Sequence, residues 1–329
     1  MTDAAPPTRP TPHDAHGGMS LVVALGGNAL LKRGQAPDPR LQRANIAAAA
    51  ASLAPVIERH RVVLTHGNGP QVGLLALQAM ADPKRPAFPL DVLGAESEGM
   101  IGYVLEQELI NRLPGRDVAT LLTQVEVAVD DPAFSSPEKP IGPVYSQDEA
   151  KPLAKEHGWA VAPDGAHWRR VVASPRPRRI LALAAIRKLA QAQVTVICAG
   201  GGGIPVVLGA DGQLRGIEAV IDKDAASALL AHDLQADALV MLTDVDAVMT
   251  DFGTPQQRSL KEATPSGLAK LQFAAGSMAP KIAAAVAMAK AGRRAAIGSI
   301  NELEAILAGT AGTWIVPDGE PGEPGLAWW

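Results

Sequence analysis

Three lysines stand in sequence contexts that differ from those of typical surface lysines. Lys139 lies between a glutamate and a proline, Lys223 lies between two aspartates, and Lys281 lies at the start of an alanine-rich helical stretch. A lysine ammonium is a compact positive charge, and phosphoryl transfer needs such charge around the group in flight. Considered one at a time, each lysine is more typical of a solvated surface position than of a catalytic one.

Glycine follows three short β-branched runs that are typical of buried strands, either directly or after one intervening residue. Glycine lets the backbone approach a ligand closely and expose its N–H groups, and the start of a following helix favours an anion. Tight turns from strand to helix need glycine in any case, so a single cluster supports either interpretation. Three clusters on three strands of one sheet favour an anion-binding edge. The residues expected to bind substrate there are Gly26, Gly27, Asn28, Gly67, Asn68, Gly69, Gly201 and Gly202.

A near match to the dinucleotide-binding fingerprint begins in the second of these clusters. The glycines of Gly67-x-Gly69-x-x-x-Gly73 follow a strand. Asp91 lies roughly where a ribose-binding acid is expected. Pro70 falls inside the turn, however, and the fingerprint leaves the other two glycine clusters unexplained. The P-loop pattern G-x-x-x-x-G-K-[ST] does not occur, so a nucleotide-using enzyme with this sequence would have to bind its nucleotide without either motif.

Strand-like runs alternate with helical stretches through most of the chain. Such alternation predicts an α/β fold in which helices cover both faces of a mostly parallel sheet. Ligands of these sheets bind at the carboxyl ends of the strands, where the glycine clusters lie. The predicted strands are 21–25, 61–65, 118–122, 194–198 and 238–243, and the predicted helices are about 40–59, 70–80, 91–112, 179–192, 223–234 and 279–291.

Residues from about 126 to 179 interrupt the alternation. This segment contains eight of the 27 prolines and four of the eleven aromatic residues of the chain. A loop of this length without a function is unusual. We interpret it as an inserted, protruding subdomain or lid within a single domain that spans residues 19–316.

The two ends of the chain differ in composition from the domain between them. Residues 1–18 are rich in proline, threonine and glycine and contain nothing to bury, so we interpret them as a disordered extension. Residues 317–329 look like a tail, although Trp328 and Trp329 offer a means of docking.

The composition excludes several classes of protein. Of the 329 residues, 47% are hydrophobic and 19% are charged, which is sufficient for a packed core. The net charge of −4 argues against a nucleic-acid partner, and the single cysteine, Cys198, excludes an internal disulfide and a cysteine-based zinc site. No apolar run is long enough to span a bilayer, so we expect a cytoplasmic protein with no membrane partner. His66 is either a substrate contact or a packed strand-end histidine.

Longer motifs occur in order from about residue 20 to residue 316, and together they resemble those of the carbamate kinases, in the amino acid kinase family. The segments KPIGP, inside the insertion, and VIDKD resemble carbamate kinases in particular. The resemblance implies a three-layer αβα sandwich with residues 194–316 as its nucleotide-binding half. The motifs are VVALGGNALL (22–31), THGNGPQVG (65–73), EGMIGY (98–103), KPIGP (139–143), GGGGIPVV (200–207), GIEAVIDKDAAS (216–227), LTDVD (242–246) and GSMAPK (276–281).

The resemblance also implies roles for the three lysines in phosphoryl transfer between carbamoyl phosphate and ADP, which yields ATP and carbamate. Lys139 would reach the carbamoyl phosphate side, Lys223 the nucleotide phosphates, and Lys281 the phosphoryl group in flight. Asp224 would hold the lysines in position. Many relatives carry a catalytic lysine in the first strand, where this sequence has Ala24. Lys139 is the implied replacement, which favours carbamate kinase over acetylglutamate kinase or uridylate kinase.

The implied nucleotide site lies after the fifth predicted strand. Asp244 and Asp246 occupy the expected ribose and base position, with Thr243 and Met278 as further contacts. Helix capping is the alternative role of the two aspartates. A Mg²⁺ ion is expected with ATP or ADP, held by phosphates and waters rather than by protein ligands. The apolar residues of the helix at 91–113 are expected first of all to pack in the core, and the resemblance implies that a second apolar edge forms a homodimer interface, as in the family.

The sequence leaves three alternatives to a carbamate kinase. The first is another acyl-phosphate kinase of the same fold that uses a different small carboxylate. The second is a non-catalytic sensor of small anions, which would be expected to lack the three lysines. The third is a dinucleotide-dependent dehydrogenase, which would bind a nicotinamide cofactor.

Overall fold

A computed structural model describes residues 18–27, 30–31, 38–81, 84, 87–271, 273, 278–319 and 325–329 of the chain. Strands and helices alternate along it. The strands are β1 (Ser20–Leu25), β2 (Arg61–His66), β3 (Val118–Leu121), β4 (Gln124–Val127), β5 (Lys139–Tyr145), β6 (Ala160–Asp164), β7 (His167–Val172), β8 (Pro177–Ile180), β9 (Thr195–Cys198), β10 (Ile204–Leu208), β11 (Leu214–Gly216), β12 (Ala238–Thr243), β13 (Met249–Thr250), β14 (Arg258–Ala263), β15 (Arg294–Ser299), β16 (Thr313–Ile315) and β17 (Leu326–Trp328). The helices are α1 (Pro39–Arg59), α2 (Gly69–Ala79), α3 (Leu90–Ile110), α4 (Gln147–His157), α5 (Leu183–Gln191), α6 (Lys223–Leu234), α7 (Pro265–Leu268), α8 (Met278–Lys290) and α9 (Leu303–Leu307).

Ten of the described strands form the central sheet. Its order is β13-β14-β16-β15-β12-β1-β2-β9-β3, and β17 pairs with β14 beside this path. The run from β15 through β12, β1, β2 and β9 to β3 is parallel throughout. The carboxyl ends of these strands therefore lie along one edge of the sheet, where ligands of open α/β sheets bind.

Helices cover both faces of this sheet, and the side chains of β1 show how. Leu21, Val23 and Leu25 pack with α1 and α3 on one face. Val22 and Ala24 belong to the core on the other face, with α5, α6 and α8. Successive side chains of a strand point to opposite faces, so a wholly apolar strand joins two cores. The three-layer arrangement around a mostly parallel sheet is thus confirmed. None of the described helices has the long apolar stretch that a membrane crossing requires.

Two smaller sheets contain the interrupting segment. The interrupting segment begins within β4 and ends within β8. These two strands pair antiparallel within the sheet β11-β10-β4-β8. Between them, β5, β7 and β6 form a separate antiparallel sheet with α4 beside it. The helix predicted to start at residue 179 begins only at Leu183, because Pro177–Ile180 is a strand held by pairing with β4. That start was wrong.

The three-stranded sheet lies close against α2. A Cβ atom added to Gly73 of α2 would lie 2.0 Å from the Cα of Gly142 in β5. The backbones approach this closely because Gly73 lacks a side chain, whereas a Cβ on Gly142 would lie at an ordinary contact distance of 3.7 Å from the Gly73 Cα. The contact fixes the position of β5 relative to α2. Lys139, the first residue of β5, is positioned with it. Movement of this subdomain as a lid stays a prediction.

The last residues of the chain dock on the edge of the central sheet. β17 pairs antiparallel with β14, and the indole N–H of Trp329 donates to the carbonyl oxygen of Gly312 at 2.9 Å. The guanidinium of Arg258 lies 4.0 Å from the ring centre of Trp328, a cation–π distance. The sequence left residues 317–329 as either a free tail or a docked one. The structure shows that residues 325–329 are docked. Residues 1–17 of the expected N-terminal extension lie outside the described residues.

Deleting residues 326–329 is expected to lower the free energy of unfolding by about 2 kcal/mol. It removes the pairing of β17 with β14 and the cation–π contacts of Arg258 with Trp328 and of Lys261 with Trp329. Urea unfolding of the truncated and full chains measures the difference. Phe252→Ala provides the control, since this ring is 69% exposed. A truncated chain with the same unfolding midpoint as the full chain would show that the docking contributes nothing to stability.

Candidate active site

The three glycine clusters converge at the carboxyl edge of the sheet. The Gly26 N–H donates to the carbonyl oxygen of Leu242 at 2.9 Å, which ties the first turn to β12. A Cβ on Gly67 would lie 3.1 Å from the Gly27 backbone nitrogen, so the first and second turns touch. A Cβ on Gly201 would lie 2.0 Å from the Asn68 amide nitrogen, so the second and third also touch. Asn28, predicted to join them, lies outside the described residues.

The third glycine turn adopts a backbone conformation that suits glycine. Gly201, Gly202 and Gly203 have φ angles of +65°, +96° and +88°, in the region that side-chain-bearing residues rarely adopt. A Cβ on Gly202 would also lie 2.5 Å from the carbonyl oxygen of Ile221. The turn therefore packs directly against the segment that leads into α6.

The three lysines meet on two aspartates at the start of α6. The Lys281 ammonium donates to one carboxylate oxygen of Asp224 at 3.0 Å, and the Lys223 ammonium donates to the other. The Lys139 ammonium donates to Asp222 at 2.5 Å. These lysines come from β5, α6 and α8, three elements that are far apart in sequence. The structure thus brings together all four residues predicted to be catalytic.

The N-terminus of α6 positions this cluster. One side-chain oxygen of Asp222 accepts hydrogen bonds from the Asp224 and Ala225 N–H groups at 2.9 and 3.1 Å, which makes Asp222 the N-cap. Its other oxygen accepts from Lys139. The Ser227 hydroxyl donates to the Lys223 carbonyl oxygen at 2.7 Å. Asp222 therefore joins the inserted subdomain to the helix that carries two of the catalytic candidates.

Charge in the cluster is predominantly positive. Burial alone would raise the pKa of Asp224, but the charges of Lys223 and Lys281 lower it to about 2, so this carboxylate is ionised at neutral pH. Burial lowers the pKa of Lys223. The negative charge of Asp224 raises this pKa in part, and the positive charge of Lys281 lowers it again. Three ammonium groups face two carboxylates within these five side chains. The excess charge suits an anionic ligand such as a phosphoryl group.

Ala24 lies in β1, one residue before the strand ends at Leu25. Its side chain is fully buried in the core that includes residues of α6. No cation can come from β1 at this point. Lys139 supplies a cation from β5 instead, at the capping residue immediately before Lys223.

The predicted nucleotide contacts lie at the same edge of the sheet. Thr243 ends β12, which pairs with both β1 and β15, and its hydroxyl donates to Asp244 at 3.1 Å. Asp246 follows as an exposed residue. Met278 is the first residue of α8, one turn before Lys281. Among the described residues, no group of three or more histidine, cysteine or acidic side chains is arranged to hold a metal ion.

Two buried titratable groups lie beside Gly200: Glu98, which was not predicted as a site residue, and His66, for which a substrate contact was one of two interpretations. A Cβ on Gly200 would lie 2.5 Å from Nε2 of His66 and 2.9 Å from Cγ of Glu98. Burial lowers the pKa of His66 to about 4 and raises the pKa of Glu98 to about 8. His66 is fully enclosed, so the structure supports its interpretation as a packed strand-end histidine. The spacing of Glu98 within EGMIGY offers no signal for its burial.

These two groups predict how stability changes with pH. The unfolded chain binds the His66 proton up to about pH 6.5, above the folded pKa, so His66 makes the free energy of unfolding rise between pH 4 and 6.5. The folded chain keeps the Glu98 proton up to about pH 8, so Glu98 makes this free energy fall between pH 4.5 and 8. The two effects oppose each other below pH 6.5, and only the Glu98 effect remains above it.

We therefore expect Glu98 to lower the free energy of unfolding by about 1.4 kcal/mol per pH unit between pH 6.5 and 8. Glu98→Gln should remove this slope, and urea unfolding at several pH values measures it. Glu96→Gln, an exposed position on the same helix, should keep it. Equal slopes in wild type and Glu98→Gln would contradict the assignment.

Comparison with known proteins identifies the family. Residues 19–299 match the sequence profile of the amino acid kinase family. The carbamate kinase of Haemophilus influenzae is 50% identical over 299 residues, covering 90% of this chain and 96% of that protein. The carbamate kinase of Escherichia coli K12 is 52% identical over 297 residues, covering 90% of this chain and 99% of that protein. The chain belongs to the carbamate kinases of the amino acid kinase family.

A solved structure of a carbamate kinase has the same fold. The carbamate kinase from Giardia lamblia bound to AMP-PNP superposes with a TM-score of 0.83 at 39% identity, covering 92% of this chain and 100% of that one. The family and the fold class expected from the sequence motifs are thus confirmed. The roles of individual carbamate kinase residues in this chain stay predictions.

Proposed function

We propose that this chain catalyses reversible phosphoryl transfer between carbamoyl phosphate and ADP, giving ATP and carbamate, which decays to ammonia and CO₂. The observation that carries the proposal is the meeting of Lys139, Lys223 and Lys281 on two aspartates beside three glycine turns. The roughly 50% identity to carbamate kinases over 90% of the chain supports the choice of substrate.

The lysines are proposed to act through charge and alignment. Direct transfer needs no covalent nucleophile from the protein, since the two substrates are held in line and charge is stabilised between them. Lys281 contacts the phosphoryl group in flight, Lys223 contacts the nucleotide phosphates, and Lys139 contacts carbamoyl phosphate from the inserted subdomain. Asp224 holds Lys223 and Lys281 in fixed positions, because both ammonium groups donate to its carboxylate.

The glycine turns are proposed to hold the substrate anions. At Gly27 and Gly69, a Cβ would meet no atom of another part of the described chain within 4 Å, and we propose that the ligand lies beside both. Gly26, Gly67, Asn68, Gly201 and Gly202 pack the turns against one another and leave a backbone surface that a phosphate or carbamate can approach closely.

The nucleotide is proposed to lie over the end of β12 and the start of α8, with Thr243, Asp244, Asp246 and Met278 as contacts. Mg²⁺, bound through the phosphates, would neutralise charge there. Asp222 and Asp224 already accept hydrogen bonds from lysines, so they fit the role of lysine holders better than that of metal ligands. Phosphates and waters are the proposed ligands of the ion.

We also propose a cytoplasmic homodimer that makes ATP during arginine breakdown, in line with the family resemblance. The proposed interface is the outer side of α3. Its apolar side chains Met100, Tyr103 and Ile110 are exposed, and exposed apolar surface is typical of a protein–protein contact.

Substrate selectivity tests the proposed function. ATP formation from ADP is measured by a coupled assay with carbamoyl phosphate and, in parallel, with acetyl phosphate. The proposal predicts a much higher kcat/KM for carbamoyl phosphate. A preference for acetyl phosphate would identify the chain as another acyl-phosphate kinase of the same fold, and no ATP from either substrate would favour the anion sensor.

A further inference from the structure

Glu98 on α3 is a buried acidic residue that the proposed chemistry does not use. It is 1% exposed, and within the described part of the chain no lysine or arginine forms an ion pair with it. A buried acid without a cationic partner is costly to ionise, because burial removes the hydration of its charged form. Its hydrogen bonds therefore indicate what it is held for.

The backbone N–H groups that donate to Glu98 belong to the third glycine turn and to the segment that follows β3. One side-chain oxygen accepts from the Gly200 N–H at 2.7 Å and the other accepts from the Thr123 N–H at 3.1 Å. Thr123 reinforces the link, because its hydroxyl accepts from the Ala199 N–H at 2.9 Å and donates to the Leu121 carbonyl oxygen at 2.7 Å. Glu98 thus joins the end of β3 to the first residue of the third glycine turn.

The preceding residue of α3 supports the second glycine turn in the same way. The Asn68 side-chain amide donates to the Ser97 hydroxyl at 2.8 Å, and that hydroxyl donates to the Gly94 carbonyl oxygen at 2.7 Å. α3 is itself held tightly on the sheet, since a Cβ on Gly102 would lie 2.3 Å from Cγ2 of Thr120. Two adjacent side chains of one rigidly packed helix therefore hold two of the turns.

We propose that Glu98 is a positioning residue of the substrate site. It holds the Gly200–Gly203 turn in the position where the turn contacts the substrate anion. The inference rests on the proposed function, because the anion is taken to be carbamoyl phosphate. His66 and Cys198 are the titratable groups that flank Glu98, from β2 and β9. Neither accepts the Gly200 N–H, which donates to Glu98.

Substitution of Glu98 separates positioning from general stability. Glu98→Gln keeps the volume and one accepting oxygen but loses the second acceptor, so the KM for carbamoyl phosphate should rise about 10-fold, the effect of one lost hydrogen bond. Glu98→Ala loses both acceptors and should raise it further. The KM for ADP should change less than about twofold in both, because the nucleotide contacts lie on β12 and α8. Glu96→Gln, exposed on the same helix, should behave as wild type.

Hydrogen exchange of the 200–203 backbone gives a second readout that does not depend on activity. The proposal predicts faster exchange there in both Glu98 variants and no change in Glu96→Gln. Unchanged KM for carbamoyl phosphate together with unchanged exchange in Glu98→Gln would overturn it, even if Glu98→Ala does not fold. Wild-type protein that makes no ATP from carbamoyl phosphate would refute the proposed function, and the exchange result would still decide the role of Glu98.

Discussion

Lys281→Ala is expected to lower kcat for ATP formation by at least ~100-fold, comparable to the loss of one transition-state donor. Lys281 is only 6% exposed and donates to Asp224 in the cluster. Its removal leaves Asp224 paired with Lys223, so we expect the variant to fold. Initial rates at saturating ADP and carbamoyl phosphate measure kcat, and circular dichroism confirms folding.

Lys290→Ala is the matched control for this substitution. Lys290 lies at the end of the same helix and is exposed, so its removal should leave kcat within about twofold, as is usual for surface changes. If folded Lys281→Ala keeps kcat within a few-fold of wild type, the phosphoryl group is transferred at a site that Lys281 does not contact.

Lys139→Ala is expected to lower kcat/KM for carbamoyl phosphate by at least ~100-fold while the Kd for ADP changes little. The ammonium of Lys139 belongs to the inserted subdomain and joins the cluster by donating to Asp222. The first strand, β1, contributes no cation, because it has Ala24 at the corresponding place. Asp222 still caps α6 in the variant through the Asp224 and Ala225 N–H groups. Calorimetry gives the Kd for ADP, and coupled assays give the rates.

Lys151→Ala serves as the control, since Lys151 is an exposed residue of α4 in the same subdomain. It should leave both quantities unchanged. Near-normal rates in Lys139→Ala would show that the insertion is structural and that another group neutralises the substrate. Loss of ADP binding would instead place Lys139 at the nucleotide.

The elements around the site could be predicted because their local patterns agree with their packing. The apolar run 21–25 became β1, one residue longer, since a strand buried on both faces is apolar throughout. β15 was missed because RAAIGS contains few β-branched residues and takes its conformation from pairing with β12 and β16. The wrong start at residue 179 has the same cause, a strand imposed by its partner β4.

The partners within the site could not be predicted from the sequence. Lys139 and Asp222 are 83 positions apart in the sequence. Their contact depends on the position of β5 relative to α2, which the close approach of Gly73 and Gly142 fixes. Glu98 resembles the other glutamates of α3 in sequence, and only the closeness of Thr123 and Gly200 makes it a buried acceptor. Motifs identify candidate residues, and tertiary packing decides which of them touch.

The central claim is that a phosphoryl group passes directly between the nucleotide and carbamate over the lysine cluster, without a covalent intermediate. Isotope exchange tests it most directly: labelled ADP is incubated with ATP and the protein, first alone and then with carbamate supplied from ammonia and bicarbonate. The account predicts that label enters ATP only when carbamate is present, because the γ-phosphoryl group then has an acceptor. Exchange without carbamate would reveal a phosphorylated protein, and no exchange with carbamate would exclude the reaction; either result would contradict the account.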